Sequence, residues 1–210
     1  LDSALAALVR FMDAHPRAGA AGGRLLNADG SFQHAAFRFP NLWMSFFDFF
    51  PLNHRLINSR LNGRYPRQQC DRAFQIDHPL GACLVVRRQV IDQVGLLDEG
   101  FFMYCEEIDW CLRIKQAGWE IWYVPDAPII HHGAQSTGQF RHRMFIELHR
   151  SRYRLFARYY SRAFCAANRL LVRLGLAREI ARAWWAYKRG RLTPSEYSDH
   201  VAAYKTVWML

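Results

Sequence analysis

The stretch between Asp77 and His131 limits the fold most, because apolar runs there alternate with helix-length segments that close on glycine. Gly81-Ala82-Cys83-Leu84-Val85-Val86 reads as a buried strand. Residues 87–94 suit a short helix closed by Gly95, and residues 104–117 a second helix closed by Gly118. Residues 120–124 form a strand stopped by Pro125, and residues 128–131 another. Strands that alternate with helices imply an α/β sheet.

Upstream, residues 1–15 read as an amphipathic helix. Leu1, Ala4, Leu5, Leu8, Phe11 and Met12 keep helical spacing. Pro16 and the glycine-rich stretch 19–23 end it, and a short strand follows at 24–26. Asn27-Ala28-Asp29-Gly30 makes a turn. Residues 31–72 look like a long loop with short helical pieces around 42–50. From Arg141 onward the pattern is helical. Thr193-Pro194-Ser195-Glu196 carries a capping threonine, a first-turn proline and a glutamate that completes a capping box. The division expected is a sheet-bearing part over 1–140 and a helical extension over 141–210.

Charge is segregated. Residues 141–191 hold fourteen Lys/Arg against two Asp/Glu, a local balance of +12, so the rest of the +10 chain sums to −2. Arginines there interleave with aromatics, as in Arg152-Tyr153-Arg154 and Trp184-Trp185. That is the composition of helices lying on an anionic membrane. An ordinary solvated helical face is the plainer alternative. Nucleic acid is a third partner for such charge, with no recognised motif behind it. No apolar run approaches 18 residues, so no spanning helix is expected. The five cysteines form no Cys-x-x-Cys pair, which favours a reducing compartment over zinc or disulfides.

Glu106-Glu107-Ile108-Asp109 sits at the start of a helix, where the dipole alone accounts for carboxylates. At about 100° per residue, Glu106, Asp109 and Arg113 share one stripe, and Asp109 with Arg113 forms an i,i+4 pair. Glu107 points elsewhere, with no cation at helical spacing. It is the carboxylate left over for deprotonating a hydroxyl.

The context is specific in its order. Gly22-Gly23-Arg24-Leu25-Leu26-Asn27-Ala28-Asp29-Gly30-Ser31 comes first, then Asp77-His78-Pro79-Leu80-Gly81-Ala82-Cys83-Leu84-Val85-Val86-Arg87-Arg88. Leu96-Leu97-Asp98-Glu99-Gly100-Phe101-Phe102-Met103-Tyr104 precedes the acidic cluster. Trp110-Cys111-Leu112-Arg113, Ala117-Gly118-Trp119, Tyr123-Val124-Pro125-Asp126-Ala127 and Ile130-His131-His132-Gly133 follow it. Over about residues 1–140 this order resembles family 2 glycosyltransferases of the rhamnosyltransferase-like group, which build bacterial cell-surface polysaccharides.

The resemblance implies a partial GT-A fold, a mixed sheet flanked by helices, followed by basic amphipathic helices. It implies an inverting transfer from a nucleotide-sugar donor, with rhamnose the family-weighted sugar, to a glycan or lipid-linked acceptor. The second acid of the cluster, Glu107, takes the base position, where the family more often has Asp. Asp77, Gly81, Ala82, Asp98, Glu99, Glu106 and Trp110 fall where acceptor or substrate is bound. A divalent metal, Mg or Mn, is expected on the donor pyrophosphate, with His131 as ligand and His132 as its close rival. The family's donor half, ending in an Asp-rich metal motif, has no counterpart here. The chain therefore reads as an acceptor-side fragment, inactive alone and peripheral on the inner face of a bacterial cytoplasmic membrane. The other reading is a non-catalytic membrane-surface module left by truncation.

Overall fold

The computed structural model describes residues 2–133 and 140–210; Leu1 of the expected first helix lies outside them. In chain order the elements are α1 (Asp2–Ala14), β1 (Ala18–Leu26), β2 (Phe32–Gln33), β3 (Ala36–Phe37), α2 (Leu42–Phe49), α3 (His54–Ile57), β4 (Phe74–Gln75), β5 (His78–Pro79), β6 (Val85–Val86), α4 (Arg88–Val94), α5 (Glu106–Gln116), β7 (Glu120–Ile130), α6 (Arg141–Tyr159), α7 (Arg162–Lys188) and α8 (Pro194–Met209). They fold as two compact units. The first gathers Leu1–Pro40, Asn58–Gly100 and Glu106–Gly133, and the second Asn41–Ile57, Phe101–Cys105 and Ala134–Leu210. The helical unit thus recruits residues 41–57 and 101–105 from the stretch that the sequence assigns to the sheet. Phe49 ties in the first, buried in one cluster with Val172, Leu176 and Val207, and Ser151 ties in the second by donating to the Met103 carbonyl at 2.7 Å.

The first unit is a mixed α/β sheet flanked by helices, as expected. β1 and β7 run parallel at its centre. β4 pairs antiparallel with β7, and β2 and β6 pair antiparallel with two segments of β1. Side chains of β7 alternate across the sheet. Ile121 and Tyr123 join Val90, Cys111 and Ile114 from α4 and α5 in one buried cluster. Val124 joins Ala4, Leu8 and Met12 of α1 in another.

Three strand expectations need correction. β1 spans nine residues, starting in the glycine-rich stretch that reads as a helix terminator. Alanine and glycine carry little strand signal, yet here close packing demands them. A Cβ on Gly22 would lie 2.5 Å from Pro79 Cβ, and one on Gly23 would lie 2.4 Å from the Ala127 carbonyl oxygen. The segments on either side of Pro125 form one strand, not two. The register to β1 jumps from Gly23↔Val124 to Arg24↔Pro128, so Pro125 sits in a bulge where its missing N–H breaks no ladder bond. Finally, 81–86 is no buried strand. Only Val85–Val86 pair, and Gly81 and Ala82 form an exposed turn.

The second unit is helical. A Cβ on Gly175 would lie 2.2 Å from Phe49 Cγ, so the glycine lets α7 and α2 approach. Thr193 and Glu196 make the capping box that starts α8. Among the described residues no helix is long and apolar enough to cross a membrane. All five cysteines are free thiols.

Candidate active site at the start of helix α5

Helix α5 begins two residues later than its sequence pattern suggests. Tyr104 and Cys105 both hold left-handed backbone, at φ 67° and 68°. Such conformations cost a non-glycine residue about 1–3 kcal/mol each and persist where surrounding packing imposes them. They deliver the chain into a first turn carrying Glu106, Glu107 and Asp109.

The three carboxylates have different fates. Asp109 is fully buried and accepts from Arg113 Nε at 2.9 Å. Arg113 also donates to the carbonyls of Val94 and Leu96, the latter at 2.8 Å, and so ties α5 to the loop that follows α4. Glu106 does not share this arginine. Its Oε2 is shut off from solvent, with no hydrogen-bond donor among the described residues.

Glu107 lies against the exposed turn at Gly81. A Cβ built there would sit 3.6 Å from Glu107 Cδ, ordinary van der Waals contact, so the turn packs directly against this side chain. Burial pushes the Glu107 carboxyl up to about 7. The charge of Glu106 adds to the rise, and the backbone N–H groups of Glu107 and Ile108 oppose it. A carboxylate poised near neutrality is suited to taking a proton from a hydroxyl.

Sequence reasoning missed what lies behind Glu107. One turn along, Cys111 is buried. Burial and then the Glu107 charge push its thiol pKa upward, so it stays protonated and serves as an apolar floor. Another turn on, Lys115 Nζ donates to Asp77 Oδ1 at 3.0 Å. The i, i+4 spacing of Glu107 and Cys111 is a usable signal; the Asp77 partner of Lys115, 38 residues upstream, is not. Asp77 Oδ2 accepts the Phe39 N–H at 3.0 Å, so both its oxygens are engaged in bracing. The neighbouring His78 is buried between Phe37 and Phe39, and desolvation holds it neutral with its pKa lowered to about 4.

The remaining candidates are placed as follows. Ala82 shares the exposed turn with Gly81. Trp110 gives its indole N–H to the Gly95 carbonyl at 2.9 Å and packs on the core edge. Asp98 accepts the Gly100 N–H at 2.7 Å in a turn, and Glu99 is exposed. His131 follows the end of β7, with Nδ1 2.9 Å from Gln33 Oε1. With Nδ1 engaged by Gln33, Nε2 is the ring nitrogen left to meet a ligand. His132 is exposed. Among the described residues, no three His, Cys, Asp or Glu side chains gather as a metal site. His131 thus fits a single ligand position, and these residues alone do not make a metal centre.

No protein-family model matches the chain. Curated relatives do. An N-acetylglucosaminyl-diphospho-decaprenol L-rhamnosyltransferase of Mycobacterium tuberculosis is 34% identical over 172 residues, covering 77% of this chain and 53% of the relative. The rhamnosyltransferase WbbL of Escherichia coli is 33% identical over 95 residues, 45% of this chain and 36% of its own length. The low-salt glycan biosynthesis hexosyltransferase Agl10 of Haloferax volcanii is 44% identical over 41 residues, 20% of this chain and 13% of its own. The chain spans about half the length of the mycobacterial relative that it matches, and these three relatives are glycosyltransferases by name.

Proposed function

We propose that this chain is the acceptor-side part of an inverting family 2 glycosyltransferase with a GT-A fold, and that Glu107 is its catalytic base. The observation that carries the reading is the Glu107 carboxyl in the first turn of α5, packed against the exposed Gly81–Ala82 turn with its pKa raised to about 7. Glu107 takes the proton of an acceptor hydroxyl as that oxygen attacks the anomeric carbon of a nucleotide sugar. The nucleotide diphosphate leaves from the opposite face. Glu106 acts on Glu107 through its charge, which adds to the rise of the neighbouring carboxyl. Rhamnose as the sugar and a lipid-linked glycan as the acceptor are supported by the names of the relatives.

A divalent ion belongs to the same reading, because it offsets charge on a diphosphate leaving group. His131 Nε2 is this chain's contribution to it. Asp77 acts by positioning, since its link to Lys115 holds β5 and the following turn against α5. With a lipid-linked acceptor the enzyme works at the membrane surface.

The test is transfer of a labelled sugar to a lipid-diphosphate acceptor, by the chain alone and by the chain joined to the donor half of the mycobacterial relative. The joined protein is expected to turn over and the chain alone to be inactive. Glu107→Gln is expected to lower kcat by about 10²–10⁴-fold. Turnover within a few-fold of the parent would overturn the assignment.

A further inference from the structure

Helix α7 is apolar on two faces. One is buried: Val172, Gly175, Leu176 and Ala183 pack within the helical unit. The other is open to water. At about 100° per residue, Ala163, Ala166, Ala167, Leu170, Leu174, Ala177, Ala181, Trp184 and Trp185 fall in one sector about 100° wide. No other residue between 163 and 185 falls in that sector, and all nine are exposed. Leu170, Leu174 and Trp185 are each more than half exposed. At about 1.5 Å per residue the stripe runs about 33 Å. Trp208 and Met209, exposed at the end of α8, extend it: Trp208 lies under the Arg173 guanidinium at 5.8 Å. A contiguous apolar face of this length marks an interaction site.

Its borders are cationic. Arg162 and Arg173 flank one edge, and Lys188 and Arg189 close the C-terminal end, standing over Trp184 and Trp185. The helix carries six Lys/Arg and one acid, Glu179, which lies on the opposite face. Beside Trp185 opens a cleft of about 370 Å³ whose lining includes Arg182, Arg189, Arg191 and His200 together with Glu179. A second copy of the chain would bring two cationic borders together with no acid between them. An anionic bilayer instead offers hydrocarbon to the stripe and phosphates to its borders.

We infer that the exposed face of α7 lies on an anionic phospholipid surface, with its alanines, leucines and tryptophans at the acyl boundary and its arginines among the phosphates. This stands independently of the transferase reading, since it uses no residue of the α5 site.

The full chain is mixed with vesicles of phosphatidylcholine alone, or of phosphatidylcholine with 30 mol% phosphatidylglycerol, then sedimented while Trp emission is recorded. Binding at least tenfold stronger to the anionic vesicles, with a blue shift of the emission, is expected. The doubly substituted Leu170→Glu, Leu174→Glu chain is expected to lose that binding by at least tenfold while keeping its helical circular dichroism. Glu107→Gln is expected to sediment as the parent does, so failure of the catalytic assignment leaves this result untouched. Equal binding by the double variant would overturn the proposal. So would a parent that stays in the supernatant, or one that forms a dimer which the double variant abolishes.

Discussion

The first turn of α5 and the outer face of α7 depart from the rules of a stable fold in opposite ways. At α5, carboxylates are held where water is scarce: Glu107 with its proton affinity raised, Glu106 with an oxygen unpaired among the described residues, and two left-handed residues leading in. At α7, hydrocarbon is held where water is plentiful. Each departure names the chemistry of its remedy. The carboxylate turn is relieved by a proton or a hydroxyl, and the apolar face by other hydrocarbon. On the readings proposed above, the sheet unit keeps the reactive site and the helical unit the surface that rests on lipid.

The largest expected effect falls on the first region: Glu107→Gln lowers turnover by about 10²–10⁴-fold in the joined enzyme, read from initial rates. The companion double substitution on α7 should leave transfer to a soluble acceptor analogue unchanged. Loss of both activities in either variant would break the separation drawn between the regions.

A smaller effect tests the scaffold beneath the site. Gly23→Ala places a methyl against a backbone carbonyl that cannot turn aside, and should destabilise the sheet unit by about 1–3 kcal/mol in urea unfolding. Gly175→Ala should act similarly on the helical unit through Phe49.

These two glycines also show where sequence reasoning stops. The expected helix starts and stops largely hold, because capping chemistry is local: Thr193 with Glu196, Gly95 and Gly118 at helix ends. Only the end of β1, at 24–26, is legible, because the small residues before it are required by Pro79 and Ala127, partners that are remote in the chain. Glu107 could be singled out by helical geometry alone. Its environment could not, since the Gly81 turn arrives from 26 residues upstream. For α7 the two apolar faces were both present in the sequence, but which one the fold covers depends on Phe49 and Val207.

Next in size is the link between pH and stability. The Glu107 carboxyl is raised in the folded chain from its ordinary value of 4.5 to about 7. The folded state therefore binds more protons than the unfolded state between those values. The group's contribution is fully present below pH 4.5 and is lost as pH rises through about 7. Glu107→Gln should therefore stabilise the chain by about 1–3 kcal/mol at pH 8, allowing for partial solvent screening, relative to its effect at pH 4. Thermal melts at the two pH values read this as a difference of a few degrees.

The smallest expected effect sharpens the other side. Leu170→Glu with Leu174→Glu should change stability by no more than about 0.5 kcal/mol per site, because neither side chain is buried. A large loss in the melt would mean that the face is packed in solution, and would remove the contrast with α5.

The most direct test of the account follows the Glu107 carboxyl itself. Carbon-13 NMR of the chain labelled at glutamate Cδ, with Glu107→Gln to assign the resonance, reports its titration without donor or acceptor. A midpoint near 7 is expected. A midpoint near 4.5 would contradict the claim that the start of α5 holds a carboxylate ready to act as a base.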